Sequence, residues 1–355
     1  MRDRSIDVSR GILVLMMVYG HVLQFFGDAS LFPAVNRNID FINLTVFPTF
    51  VFCFGATAVL AYLDKPYQRA LPGMAKTALR SLAVFYLSGI GYRVLREGKA
   101  LAAGTMRRIL KLEDIPGWSE FLVSFALYAA LLIVFFAWLR WLSYRPLAAL
   151  GVGAVCFAAS IFIPYSHVQP VQLQLIIGGR DFACFPIVQY MPYFLAGMIY
   201  ARGDRAMRLR ILLLAVVCSA AGLADSILGG GLPGRFPPEW SWIALPAMLT
   251  AGVLLLAKGL CLLCGDGIRR AADLLCDGLS HFGSRSLYYL LTSNLVLFTL
   301  SGRGIVPVLK RKSVLPWTAP IQAPQGAAVW TAVLLMALCF VALLAGRSAG
   351  KKTKQ

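Results

Sequence analysis

The sequence predicts an all-α integral membrane protein of about ten transmembrane helices, with both termini cytoplasmic and no separate soluble domain. Three observations lead there. Of 355 residues, 59% are hydrophobic and only 14% charged, and the mean hydropathy is +0.71; a soluble domain is usually about 45–50% apolar with about 25% charge. The apolar residues come in blocks of roughly twenty, the length needed to cross a ~30 Å hydrocarbon core. Basic residues gather in alternate loops, which sets the orientation.

The first block, 8–27, follows Arg2, Arg4 and Arg10 as a signal peptide would. The run from Gly11 to Phe26 nevertheless lacks a small-x-small cleavage site, contains His21 and Gln24, and leads into further spans, so it reads as a retained first helix. The others are expected at 42–63, 77–95, 118–139, 146–163, 183–201, 209–228, 242–264, 285–301 and 326–346. They make one membrane domain, 1–347, followed by a basic cytoplasmic tail, 348–355, whose "KKTKQ" suits anionic lipid headgroups. No internal repeat or low-complexity linker interrupts it.

An amino terminus in the cytoplasm places 21 of the 34 basic residues in inner segments. The exception is the outer loop 96–117, with Arg96, Lys99, Arg107, Arg108 and Lys111. It is either an interfacial amphipathic segment, a sign of a different helix count, or a site for an acidic or polyhydroxylated substrate. The net charge of +18 does not point to nucleic acid, because the cations sit in short loops beside spans. Eight cysteines lie mostly within apolar runs. Cys261-Leu-Leu-Cys264 has metal-like spacing without an accompanying His or carboxylate pattern, so packing and no metal are expected.

The chemistry concentrates in the first helix. At about 100° per residue, Asp7, Arg10, His21 and Asp28 fall within about 60° of one another, forming a polar stripe. His21 lies ~16 Å beyond Arg10 along the axis, near the bilayer centre. An ionisable residue at that depth normally faces a bundle interior or a wet cavity. It is either a neutral imidazole satisfied by a neighbouring helix or a general base. Asp7 and Arg10 sit at headgroup level, where they form an ordinary i,i+3 ion pair or present Arg10 to an entering phosphate. Asp28 is two turns from His21, ~10 Å, so a partner for the imidazole has to come from another span.

These residues resemble the opening of the membrane-bound acyltransferase family 3, including the related glucan succinyltransferases: Asp7, then Arg10-Gly11-Ile12, then His21 eleven residues after the arginine. "FPTFVFCFGA" (47–56), "AKTALRSLAVFY" (75–86), "MPYFLAGMIYAR" (191–202) and "FGSRSLYYLLTSNLVLF" (282–298) resemble later family segments in the same order. Two positions depart from it. Lys76 and Arg80 stand near a site where the family often has Arg-x-x-Arg, and Thr292-Ser293-Asn294 replaces a frequent histidine.

The resemblance implies an inner-membrane, multi-pass enzyme. It would move an acyl group, acetyl or succinyl, from cytoplasmic acyl-CoA to a glycan hydroxyl at the outer face. His21 would serve as base or transient acyl carrier, and Arg10, Lys76 and Arg80 would hold the CoA phosphates. Glu120 would reach the cavity or the acceptor, or else pair with Arg107 or Arg108 at the interface. Trp118, Tyr288 and Asn294 would line the acceptor pocket, although Tyr288 and Tyr289 equally suit interfacial anchors and Asn294 a helix–helix link. His167, His281 and Asp225 read as surface residues. The competing reading is a transporter or flippase in which His21 relays protons.

Overall fold

The structure, a computed structural model, describes residues 3–100, 102–180, 184–263, 268–302 and 321–352. Cys264 and the end of the basic tail, 353–355, lie outside them. The regular structure of the described residues is all helical, with no strand among them. In chain order the helices are α1 (Arg4–Phe26), α2 (Ala34–Ala58), α3 (Tyr67–Gly91), α4 (Ala103–Leu110), α5 (Glu120–Val134), α6 (Phe136–Ser143), α7 (Pro146–Phe162), α8 (Val171–Ile177), α9 (Ile187–Arg202), α10 (Arg205–Leu228), α11 (Trp240–Ala244), α12 (Ala247–Leu262), α13 (Ile268–Ser284), α14 (Ser286–Ser301) and α15 (Pro324–Lys352). Short π turns, Val59–Leu63 and Tyr92–Arg96, extend α2 and α3.

A helix stands at each of the ten expected positions. Five are long and apolar enough to cross a membrane: Arg4–Phe26, Ala34–Leu63, Arg205–Leu228, Trp240–Leu262 and Pro324–Ala345. The count becomes six if the pair α5 and α6 is one span, although that pair bends by 89° at Phe135. α7 and α14 are apolar but shorter. The third helix begins at Tyr67, ten residues before its expected start, and runs through Pro72.

The chain divides into two compact units: residues 1–13, 44–90 and 102–284 form the first, and 14–43, 91–101 and 285–355 the second. In the first, α2 and α9 cross at glycines. A Cβ on Gly55 would strike the Phe194 carbonyl, and one on Gly197 the Phe52 carbonyl, so only glycine lets these backbones approach. Aromatic rings fill the core beside the crossing. Phe47 stacks on Phe185 at 4.0 Å and meets Tyr190 edge-on at 4.8 Å, while Tyr128 stacks on Phe194 at 5.3 Å. Buried hydroxyls bond to carbonyls of other helices or loops, Tyr128 to Ile187 (3.1 Å), Ser124 to Phe185 (2.8 Å) and Tyr193 to Ile243 (2.6 Å), which avoids the cost of burying them unpaired.

Three helices of this unit, α4, α8 and α13, fall in segments expected as loops. α4 is amphipathic, with Ile109 buried and Arg107 and Arg108 exposed. α13 docks on the first turns of α1: Gly11 lies on the Leu279 carbonyl, Gly283 on that of Asp7, and Arg4 donates to Asp273 (3.2 Å) and Asp277 (2.8 Å).

The second unit gathers the remainder of α1, the start of α2, the Tyr92–Arg96 turn, α14 and α15. Val22, Leu23, Val35, Leu297, Ile321 and Ala327 form its apolar core. Phe298 receives Tyr92 and Phe25 edge-on at 5.3 and 5.9 Å, and Arg96 donates to the Ser301 carbonyl. This packing holds α14 against α1, which positions the site described next.

Candidate functional site

His21 is buried in α1, and its Nδ1 lies 2.8 Å from Oδ1 of Asn294, a fully buried residue of α14. A carboxamide oxygen only accepts, so Nδ1 is the donor. In a neutral ring the proton on Nδ1 leaves the lone pair on Nε2. The partner comes from another helix, as the spacing of α1 required. Asp28 does not supply it: its carboxylate accepts from the Ser30 hydroxyl and N–H and from the Leu31 N–H in the turn after α1. The Ser30 hydroxyl foremost holds this carboxyl below its ordinary range.

Tyr288, also expected in the pocket, is half-buried and gives its hydroxyl proton to the Leu338 carbonyl at 3.2 Å. That contact ties α14 to α15. Tyr289 beside it is fully buried. Of the residues expected to line the site with His21, the second unit brings Asn294 to it directly.

The other expected residues belong to the first unit. Arg10 lines a polar cleft of about 380 Å³ with Asp3, Asp7, Thr57 and Ser284, and its guanidinium lies 4.0 Å from Asp7. Lys76 and Arg80 do not line that cleft; both are exposed on α3. Thr77 between them donates to the Gly73 carbonyl at 3.0 Å and meets the Tyr62 hydroxyl at 3.0 Å. The three cations expected to act together on phosphates are thus divided between a cleft and an exposed helix face.

Glu120 opens α5. Its carboxylate stands close to the backbone amides of residues 118–120 and feels the charge of Arg235, while the Ser119 N–H itself donates to the Pro116 carbonyl at 3.3 Å. This corrects the interfacial pairing with Arg107 or Arg108, which sit exposed on α4. A carboxylate in the first turn also meets the positive end of the helix dipole. Trp118, half-buried, takes the left-handed region with φ 60°. Arg235 had escaped sequence reasoning. Its only local signal is its place in "PGRFPPEW", between a glycine and an aromatic residue.

Among the described residues no group of three His, Cys, Asp or Glu side chains is placed to hold a metal ion. Cys261 lies 4.0 Å from Cys276, sulfur to sulfur. His167 is exposed and His281 half-buried. No family model matches this chain, and neither a curated protein nor a solved structure matches it. What fold and site define together is an all-helical protein, with several helices of membrane-crossing length, that holds a buried histidine–asparagine pair.

Proposed function

We propose that this chain is an integral-membrane O-acyltransferase that moves an acyl group, acetyl or succinyl, from cytoplasmic acyl-CoA to a hydroxyl of an extracytoplasmic glycan. The observation that carries the reading is the His21–Asn294 pair: an imidazole buried in an apolar helix and bonded through Nδ1 at 2.8 Å to an asparagine of another helix. The order Asp7, Arg10-Gly11, His21 and the later segments that resemble acyltransferase family 3 support it.

In this reading Nε2 takes the proton of the acceptor hydroxyl as its oxygen attacks the thioester carbonyl. The C–S bond then breaks, and the leaving thiolate recovers the proton from the ring. Asn294 acts as a positioning residue, because its oxygen stabilises the imidazolium that forms between the two steps. Arg10, in its cleft, meets the phosphates of the CoA, with Lys76 and Arg80 contributing from α3. The chain crosses the inner membrane about ten times, with both termini cytoplasmic and the 348–355 tail on anionic lipid.

The test is thiol release. Purified protein in lipid is given acetyl-CoA or succinyl-CoA with a glycan acceptor, and His21→Ala is compared with the parent. Histidine-dependent release supports the proposal, and none with either donor defeats it. The 89° break between α5 and α6 favours a second reading, since transporters bind substrate at discontinuous helices. Uptake of labelled glycan into vesicles without any acyl donor would select it.

A further inference from the structure

Glu120 presents an unusual oxygen. Oε2 is buried, and no donor reaches it. A buried carboxylate oxygen left in that state is costly, so native structures supply a partner from the protein or from outside it. Here the protein has fixed the carboxylate without satisfying it. The group stands at the start of α5, close to the amides of residues 118–120, and Trp118 just before it takes a left-handed φ of 60°. Such a conformation is strained for a bulky residue.

The surroundings limit what can come. The Arg235 guanidinium lies over two rings, 5.1 Å from the centroid of Phe185 and 4.6 Å from that of Phe236, and Phe185 itself stacks on Phe47 at 4.0 Å. The nearby arginine opposes a cationic ligand, and the carboxylate opposes a simple anion. Trp118, Glu120, Arg235 and Phe236 are each half-buried, so the cluster reaches the surface of the first unit. An acceptor oxygen, a guanidinium fork and aromatic faces side by side suit the hydroxyls and C–H faces of a sugar ring.

We infer that Glu120 and Arg235 form a saccharide-binding subsite, in which Glu120 Oε2 accepts from a ring hydroxyl and Arg235 donates to a neighbouring oxygen. Its role in transfer rests on the proposed reading that the acyl acceptor is a glycan.

The test omits the acyl donor. Full-length protein in detergent is titrated calorimetrically with maltotetraose, cellotetraose and trigalacturonic acid. At least one should bind saturably, and Glu120→Gln should weaken it about tenfold or more, as loss of a charged hydrogen bond does. Arg235→Lys keeps the charge but loses the fork, and it gives the same answer if Glu120→Gln lowers the thermal midpoint. The exposed Glu113→Gln should bind as the parent does. No saturable binding by any of the three, or binding that neither Glu120→Gln nor Arg235→Lys weakens, would overturn the subsite. Absence of acyl transfer elsewhere would leave a positive result standing, and absence of binding here would leave the His21 test untouched.

Discussion

Asn294→Leu removes the oxygen that lies 2.8 Å from His21 Nδ1 while keeping a side chain of similar volume. Both residues are buried, so little of the lost hydrogen bond is recovered from water. Leaving a buried donor without its acceptor costs about 1–3 kcal/mol. In the proposed reaction the cost is greatest when the ring carries two protons, because a hydrogen bond to a charged group is the stronger kind. At about 1.4 kcal/mol per factor of ten, kcat for thiol release should fall roughly five- to a hundredfold. Stopped-flow detection of free CoA against acyl-CoA concentration gives kcat and KM separately, and KM should hardly move. If Asn294 acts through His21, the double variant His21→Ala/Asn294→Leu should be no slower than His21→Ala alone. Equal activity of Asn294→Leu and the parent, or additive losses in the double variant, would refute the positioning role.

Gly197→Leu should destabilise the first unit by about 3 kcal/mol or more, since its Cβ falls on the Phe52 carbonyl and two helix backbones have to separate; thermal unfolding in detergent reads this, and a midpoint equal to the parent's would contradict the crossing. Asp64 accepts from Arg202 (2.5 Å) and from the Tyr144 hydroxyl (3.1 Å), and the Arg202 bond chiefly holds its carboxyl below the ordinary range. A depressed carboxyl contributes stability above its unfolded value, and that contribution disappears as the pH falls through the folded one. Asp64→Asn should therefore lower the midpoint at neutral pH, by no more than about 1 kcal/mol because the carboxylate is 57% exposed, and the difference should shrink as the pH falls below the ordinary carboxylate range. Cys261 and Cys276, 4.0 Å apart, should be crosslinked by a mild oxidant such as copper phenanthroline, giving a disulfide-linked peptide by mass spectrometry; failure to crosslink would contradict the docking of α13 beside α12.

The long apolar helices were legible because hydropathy alone defines them, and the helix that carries His21 was legible for the same reason. Its partner was not, since Asn294 lies 273 residues away and an asparagine in an apolar run resembles any interhelical link. α13 was hidden by its low mean hydropathy, although Cys276, Leu279 and Gly283, the residues it buries, recur at three- and four-residue spacing. The early start of α3 was masked by Pro72, which reads as a loop residue but is accommodated six residues into the helix. Nothing local marks the bend at Phe135, as neither glycine nor proline stands there. The influence of the Arg235 charge on Glu120 reaches across 115 positions of sequence, and no periodicity can connect residues so far apart.

The most direct measurement of the central claim follows the acyl group across the membrane. Inverted vesicles holding the protein and enclosing a glycan are given radiolabelled acetyl-CoA or succinyl-CoA from outside, and the enclosed glycan is recovered. The account predicts ester-linked label on the glycan with the parent protein and none with His21→Ala. Unlabelled glycan with both donors, or equal labelling by His21→Ala, would contradict it.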